Sequence, residues 1–221
     1  MNSKVKKIVG IGIFTAIVLV LQFLGGGIKF GMFSISLVLL PIVVGAAVYG
    51  WQAGAWLGLV FGVAVLLSGD ASAFLAVNPI GTVVTVLVKG TLAGLLSGLA
   101  YKFVLFVLNN RTKKRLHMIK INYGIGECCE DGVYRYISRN NRYLSVVVAA
   151  VICPIVNTGI FLIGCKLFFF ETISQWGAAA GFENAASYLF IGLAGVNFLI
   201  ELATNLILSP VIVRLIAYAK K

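Results

Sequence analysis

Charge is what this chain has least of. Only 11% of its residues are Asp, Glu, Lys or Arg, and just seven of 221 are acidic. A soluble domain carries about 25% charged residues. Hydrophobic residues fill the gap at 60%, with a mean hydropathy of +1.02. One globular core of this length cannot hide so much apolar surface, so lipid must solvate the remainder. No polar stretch is long enough for a second core. The expectation is an all-α membrane protein forming a single domain over residues 1–221.

Catalytic signatures are missing too. No GxxxxGK[ST] occurs, so the chain has no ATP-binding P-loop of its own. There is no HExxH, no Gly-x-Ser-x-Gly and no pair of aspartates within the membrane, and the single histidine, His117, lies in a polar stretch. Neither an enzyme nor a resident metal or cofactor is expected. The four cysteines tell the same story. Cys153 and Cys165 sit in apolar segments, where cysteine acts as a small hydrophobe. Cys128 and Cys129 are adjacent, without the CxxC spacing of a zinc or redox site, and neighbouring cysteines bridge only with strain. Ordinary thiols are expected at all four.

A spanning helix needs roughly 20 apolar residues. Runs over 8–24, 81–108, 144–170 and 188–218 meet that need. A fifth run is too long for one span and is broken by Tyr49, Gly50, Trp51 and Gln52, a glycine turn with interfacial aromatics. It divides into short helices over 35–49 and 51–67, making six transmembrane helices. The first run follows Lys4, Lys6 and Lys7 but has no small-x-small cleavage site, so it reads as a retained helix.

Charge placement gives the orientation. With both termini cytoplasmic, 15 of the 18 basic residues fall inside, including Lys102, Arg111, Lys113, Lys114, Arg115, Arg139 and Arg142 around a loop over 109–143. The outer loops hold Lys29, Asp70, Glu171 and Glu183. That is the positive-inside pattern, and it accounts for a net charge of +11 without nucleic acid. The basic loop sets topology on the simplest reading; anionic lipid headgroups or a partner protein are the alternatives.

Small residues recur at helical spacing. Gly54, Gly58 and Gly62 are four apart, as are Gly90, Gly94 and Gly98. Such stripes let helix backbones approach closely in lipid, and internal packing is the expected use. Gly12 and Ala16 repeat the spacing on the first helix, where the groove is free to receive a helix of another subunit.

Polar side chains inside the spans are the candidate site. A Lys or Asp at a helix centre costs about 2.5–3.5 kcal/mol on insertion scales. Lys89 lies in the fourth helix, Asn157 and Thr158 in the fifth, and Asn197, Glu201, Thr204 and Asn205 in the sixth. Asn197, Glu201 and Asn205 are four apart and share a face. A rise of roughly 1.5 Å per residue puts Lys89 and Asn197 about 12–14 Å deep, and Asn157 and Glu201 about 20 Å deep. They can meet in one outward-opening cavity that suits a polar small molecule. A structural Lys89–Glu201 ion pair is the plainer alternative. Outer loops offer Asn78, Trp176 and Asn184 at the mouth, and the glycines after Leu24 suit a lid.

Several segments together resemble a known family. Residues 36–50 (SLVLLPIVVGAAVYG) and 53–62 (AGAWLGLVFG) resemble the second and third helices of the S components of energy-coupling factor (ECF) transporters. Asn78-Pro79 with 88–101 (VKGTLAGLLSGLAY) is similar to their fourth helix, and 154–161 (PIVNTGIF) to their fifth. The likeness spans most of the chain except 109–143. It implies a membrane subunit that captures a vitamin from outside, beneath the loop joining helices one and two, then topples within the membrane to release it. A transmembrane coupling protein and two cytoplasmic ATPases would be its partners. Gly12 and Ala16 match the face that contacts the coupling protein, where the family often has alanine at both. Asn157-Thr158-Gly159 leans toward the pantothenate type, with Lys89 as carboxylate partner, while Glu201 would offset that charge. Riboflavin, folate or another vitamin stays open. The competing class is a stand-alone, ion-gradient-driven carrier with Glu201 as its coupling carboxylate.

Overall fold

The structure is a computed structural model describing residues 3–25, 29–30, 33–34, 37–123 and 127–219. Helix α1 covers Ser3–Gly25. Two-residue strands β1 (Lys29–Phe30) and β2 (Phe33–Ser34) pair antiparallel, a small departure from the all-α expectation. The rest of the proposed glycine lid lies outside the described residues. Then come α2 (Leu39–Tyr49), α3 (Trp51–Leu67), α4 (Ser72–Val77), α5 (Pro79–Tyr123), α6 (Glu127–Phe168), α7 (Phe170–Ala179) and α8 (Ala185–Ser187). A π-helical stretch, Tyr188–Gly195, leads into α9 (Val196–Ala219). Four helices among the described residues are long and apolar enough to cross a membrane, and α2 and α3 are shorter apolar helices.

The break between α2 and α3 falls where the sequence places it. Gly50 has φ 98°, a left-handed conformation that costs glycine little. Its carbonyl then accepts from Ala53 and Gly54 to start α3.

Helix α2 is central. It packs against α1, α3, α5, α6 and α9, and Leu39 and Pro41 through Ala47 are all buried. A helix that is apolar all round needs such a position. The glycine stripes mate α3 to α5. A Cβ built on Gly58 would overlap the carbonyl oxygen of Gly90, and one on Gly94 would overlap that of Gly54. The two backbones lie directly on each other, so the stripes serve internal packing.

The described residues of the expected loop over 109–143 are helical. Helix α5 runs on to Tyr123 and α6 begins at Glu127. At a rise of roughly 1.5 Å per residue, helices of 45 and 42 residues exceed the ~30 Å hydrocarbon layer by a wide margin. The sequence reading stopped each span where hydrophobicity ends, but good helix formers such as Lys, Arg and Leu continue the coil in water. Asn141 zips the extension: its amide donates to Asn109 Oδ1 and Thr112 Oγ1, both at 3.0 Å.

The last helix also differs from expectation. The π segment inserts extra backbone before Asn197, and such turns are common at functional sites.

Candidate functional site

One cavity lies at the end of the bundle away from the basic hairpin, with about 660 Å³ of space including its opening. Helix α1 supplies Gln22, α3 supplies Phe61 and Val65, and α5 supplies Thr82, Thr85, Val86 and Lys89. Helix α6 adds Asn157, Phe161 and Cys165, and α9 adds Asn197 and Glu201. Asp70, Ala71 and Phe74 close it from the α3–α4 corner.

Glu201 is 2% exposed, and two amides hold it. Asn197 Nδ2 donates to Oε1 at 3.2 Å, and Asn157 Nδ2 donates to Oε2 at 3.5 Å. The i, i+4 spacing of Asn197 and Glu201 makes the first bond local. Amide donors compensate part of the desolvation of a buried carboxylate.

Lys89 faces aromatic rings. Its Nζ lies 5.4 Å from the centroid of Phe161 and 6.0 Å from that of Phe61. Ring faces attract a cation at such distances, by ~0.5–2 kcal/mol depending on desolvation. Lys89 and Glu201 therefore share a cavity, yet each is supported by neutral neighbours. Two polar atoms in the same wall, Thr85 Oγ1 and Asn157 Oδ1, are buried and lack a hydrogen-bond partner among the described residues. Such atoms are costly unless something entering the cavity satisfies them.

Aromatic side chains roof the cavity. Phe74 packs edge-on against Phe161, Phe169 and Trp176, at centroid distances of 5.8, 5.1 and 5.5 Å. At the rim, Gln22 Nε2 donates to Asp70 Oδ2 at 2.5 Å and to Ser68 Oγ at 3.2 Å. The end of α1 is thereby tied to the corner after α3.

The structure brings Lys89, Asn157, Asn197 and Glu201 together in this wall. Thr158 lines a small adjoining space with Lys89, Asn157 and Asn197. Two other sequence candidates lie elsewhere. Asn78 accepts from the backbone N–H of Gly81 at 2.9 Å, capping the start of α5. Asn205 is buried and donates to the backbone carbonyl of Ala150 at 3.3 Å. Asn184 likewise caps α8 through Ser187 N–H. On α1, Gly12 and Ala16 sit on an exposed face, and a Cβ on Gly12 would meet nothing within 4 Å.

Sequence reasoning missed Gln22, Asp70, Thr82 and Thr85. Gln22 carried a signal, being the one amide in the apolar run of α1. The cavity phenylalanines carried none, since Phe is equally at home against lipid or core.

Bundle and cavity together define a class: a multi-pass membrane protein with an amphipathic cavity of small-molecule size, reached from one end. The profile of the ECF transporter, substrate-specific component family matches residues 6–213, and the chain belongs to that family. It is accordingly a multi-pass protein of the cell membrane and a substrate-binding component of a transporter. No curated protein sequence matches it significantly. Among solved structures it is similar to ThiT from Listeria monocytogenes, with a TM-score of 0.58 and 19% identity over 96% of this chain and 95% of that one. At that identity the likeness speaks for the fold alone.

Proposed function

We propose that this protein is the high-affinity capture subunit of an ATP-driven vitamin importer. In this reading it spans the membrane six times, with both termini and the basic hairpin on the cytoplasmic side. It works with a transmembrane coupling protein and two ATPases. The observation that carries it is the cavity: Lys89, Asn157, Asn197 and Glu201 converge from three helices, and Thr85 Oγ1 and Asn157 Oδ1 in the same wall lack a hydrogen-bond partner among the described residues. Mixed polar and aromatic walls suit a small molecule with a ring or alkyl part and several hydrogen-bonding groups.

Lys89, Asn157, Thr158, Asn197 and Glu201 are the proposed substrate contacts. Lys89 supports an anionic cargo such as pantothenate. Asp70 and Glu201 supply two acidic groups against that one ammonium, which shifts weight toward neutral or cationic vitamins. The exposed Gly12 and Ala16 face is the proposed docking surface for the coupling protein, because nothing among the described residues covers it.

The test is mass spectrometry of small molecules released from gently purified protein. Titration calorimetry would follow with pantothenate, riboflavin, folate and thiamine, the last as the cationic member. Stoichiometric, tight binding of one vitamin is expected. Failure of every vitamin, with gradient-driven uptake by the chain alone, would replace this reading with a secondary carrier using Glu201.

A further inference from the structure

A second concave surface lies outside the capture cavity, on the lipid-facing side of the α5–α6 pair. Leu96, Leu99, Phe103 and Phe106 of α5 line it with Ile152 of α6, and Ala100 and Lys102 complete the lining. The first four recur at helical spacing along one face, and Phe103 and Phe106 are 68% and 63% exposed. Lys102 lies 23 residues beyond Pro79, so a rise of ~1.5 Å per residue sets it near the far edge of a ~30 Å hydrocarbon layer. The groove thus begins among acyl chains and ends at headgroup level.

The charge around that end is of one sign. Arg111, Lys113, Lys114 and Arg115 follow on exposed positions of α5, and Arg139 is exposed on α6. No acidic residue occurs over 96–123 or 134–156. Basic recesses between membrane helices at headgroup level attract anionic lipid headgroups. Helix α1, with its free small-residue face, packs on α2 and α3, so docking there leaves this groove open.

We propose that the groove is a binding site for one anionic phospholipid. An acyl chain lies along Leu96, Leu99 and Ile152, the glycerol region sits between Phe103 and Phe106, and the headgroup phosphate sits on Lys102. The site depends neither on the identity of the captured vitamin nor on the orientation of the chain.

Native mass spectrometry of the full-length protein in detergent, titrated with dioleoyl phosphatidylglycerol or dioleoyl phosphatidylcholine, tests it. The wild type should retain phosphatidylglycerol roughly fivefold better, the scale of one basic residue at a charged interface. Lys102→Gln should abolish that preference and Lys102→Arg should keep it. Ala100→Phe, which fills the groove, should reduce retention of both lipids. Both Lys102 variants change an exposed side chain, so correct folding is expected and is checked by an unchanged thermal midpoint. Equal retention of the two lipids by wild type, or an undiminished preference in Lys102→Gln, would overturn the proposal. So would efficient cross-linking of Phe103→Cys to a coupling subunit in the assembled transporter, which would make the groove a protein interface.

Discussion

Asn205 repairs the damage that Pro154 does to α6. Proline lacks the N–H that would bond four residues back, which leaves the carbonyl of Ala150 open inside the membrane. The Asn205 side chain, reaching across from α9, donates to that carbonyl at 3.3 Å. Irregular backbone in lipid persists where such partners restore its hydrogen bonds.

Asn205→Leu should therefore lower the thermal midpoint in detergent, at a cost of about 1–3 kcal/mol for the orphaned carbonyl. Vitamin affinity of the folded fraction should not change. Weakened binding at an unchanged midpoint would return Asn205 to the substrate site.

Lys89→Ala should weaken binding of the cognate vitamin by roughly ten- to a hundredfold, the loss of one charge-assisted hydrogen bond of about 1.5–3 kcal/mol. Insertion and folding should survive, because the ammonium rests on Phe61 and Phe161 rather than in an obligatory ion pair. Calorimetry showing equal affinity would remove Lys89 from the site.

Glycines of equal size should respond in opposite ways. Gly58→Ala would press a methyl into the Gly90 carbonyl, and overpacking there should cost about 1–3 kcal/mol or more. Gly12→Leu should leave stability and vitamin binding by the isolated protein intact but impair uptake by the complete transporter. Normal uptake by Gly12→Leu would show that this face does not dock the coupling protein.

Gln22→Leu should speed dissociation of bound vitamin several-fold, because it cuts the tie between α1 and Asp70 at the rim. Stopped-flow release kinetics would read this. An unchanged off-rate would assign the bond to helix packing alone.

Much of this was legible in the sequence for physical reasons. Lipid makes hydrophobic run length informative, so the helices over 8–24 and 51–67 fall within or upon α1 and α3. The expense of intramembrane charge singled out Lys89 and Glu201. The hairpin was illegible because hydropathy reports where lipid ends, not where a helix ends. Asn205 and Asn78 bond to backbone instead of lining the cavity, because spacing gives a shared face but not the nearest backbone group in need. Asp70 and Thr85 join the cavity through tertiary approach, which no local pattern encodes.

The glycine seam also bears on how a cargo gets out. Where Gly54 and Gly58 of α3 meet Gly94 and Gly90 of α5, backbone lies on backbone with no side chain between to change rotamer, so that seam resists deformation. The opposite side is built from α6 with its proline, from the π-helical turn before Asn197, and from α1, held at the rim by one glutamine. The walls of the cavity are thus built unevenly, from a tight seam on one side and interrupted helices on the other. Opening of the chamber is therefore expected on the α1, α6 and α9 side, with the α3–α5 seam as its fixed reference.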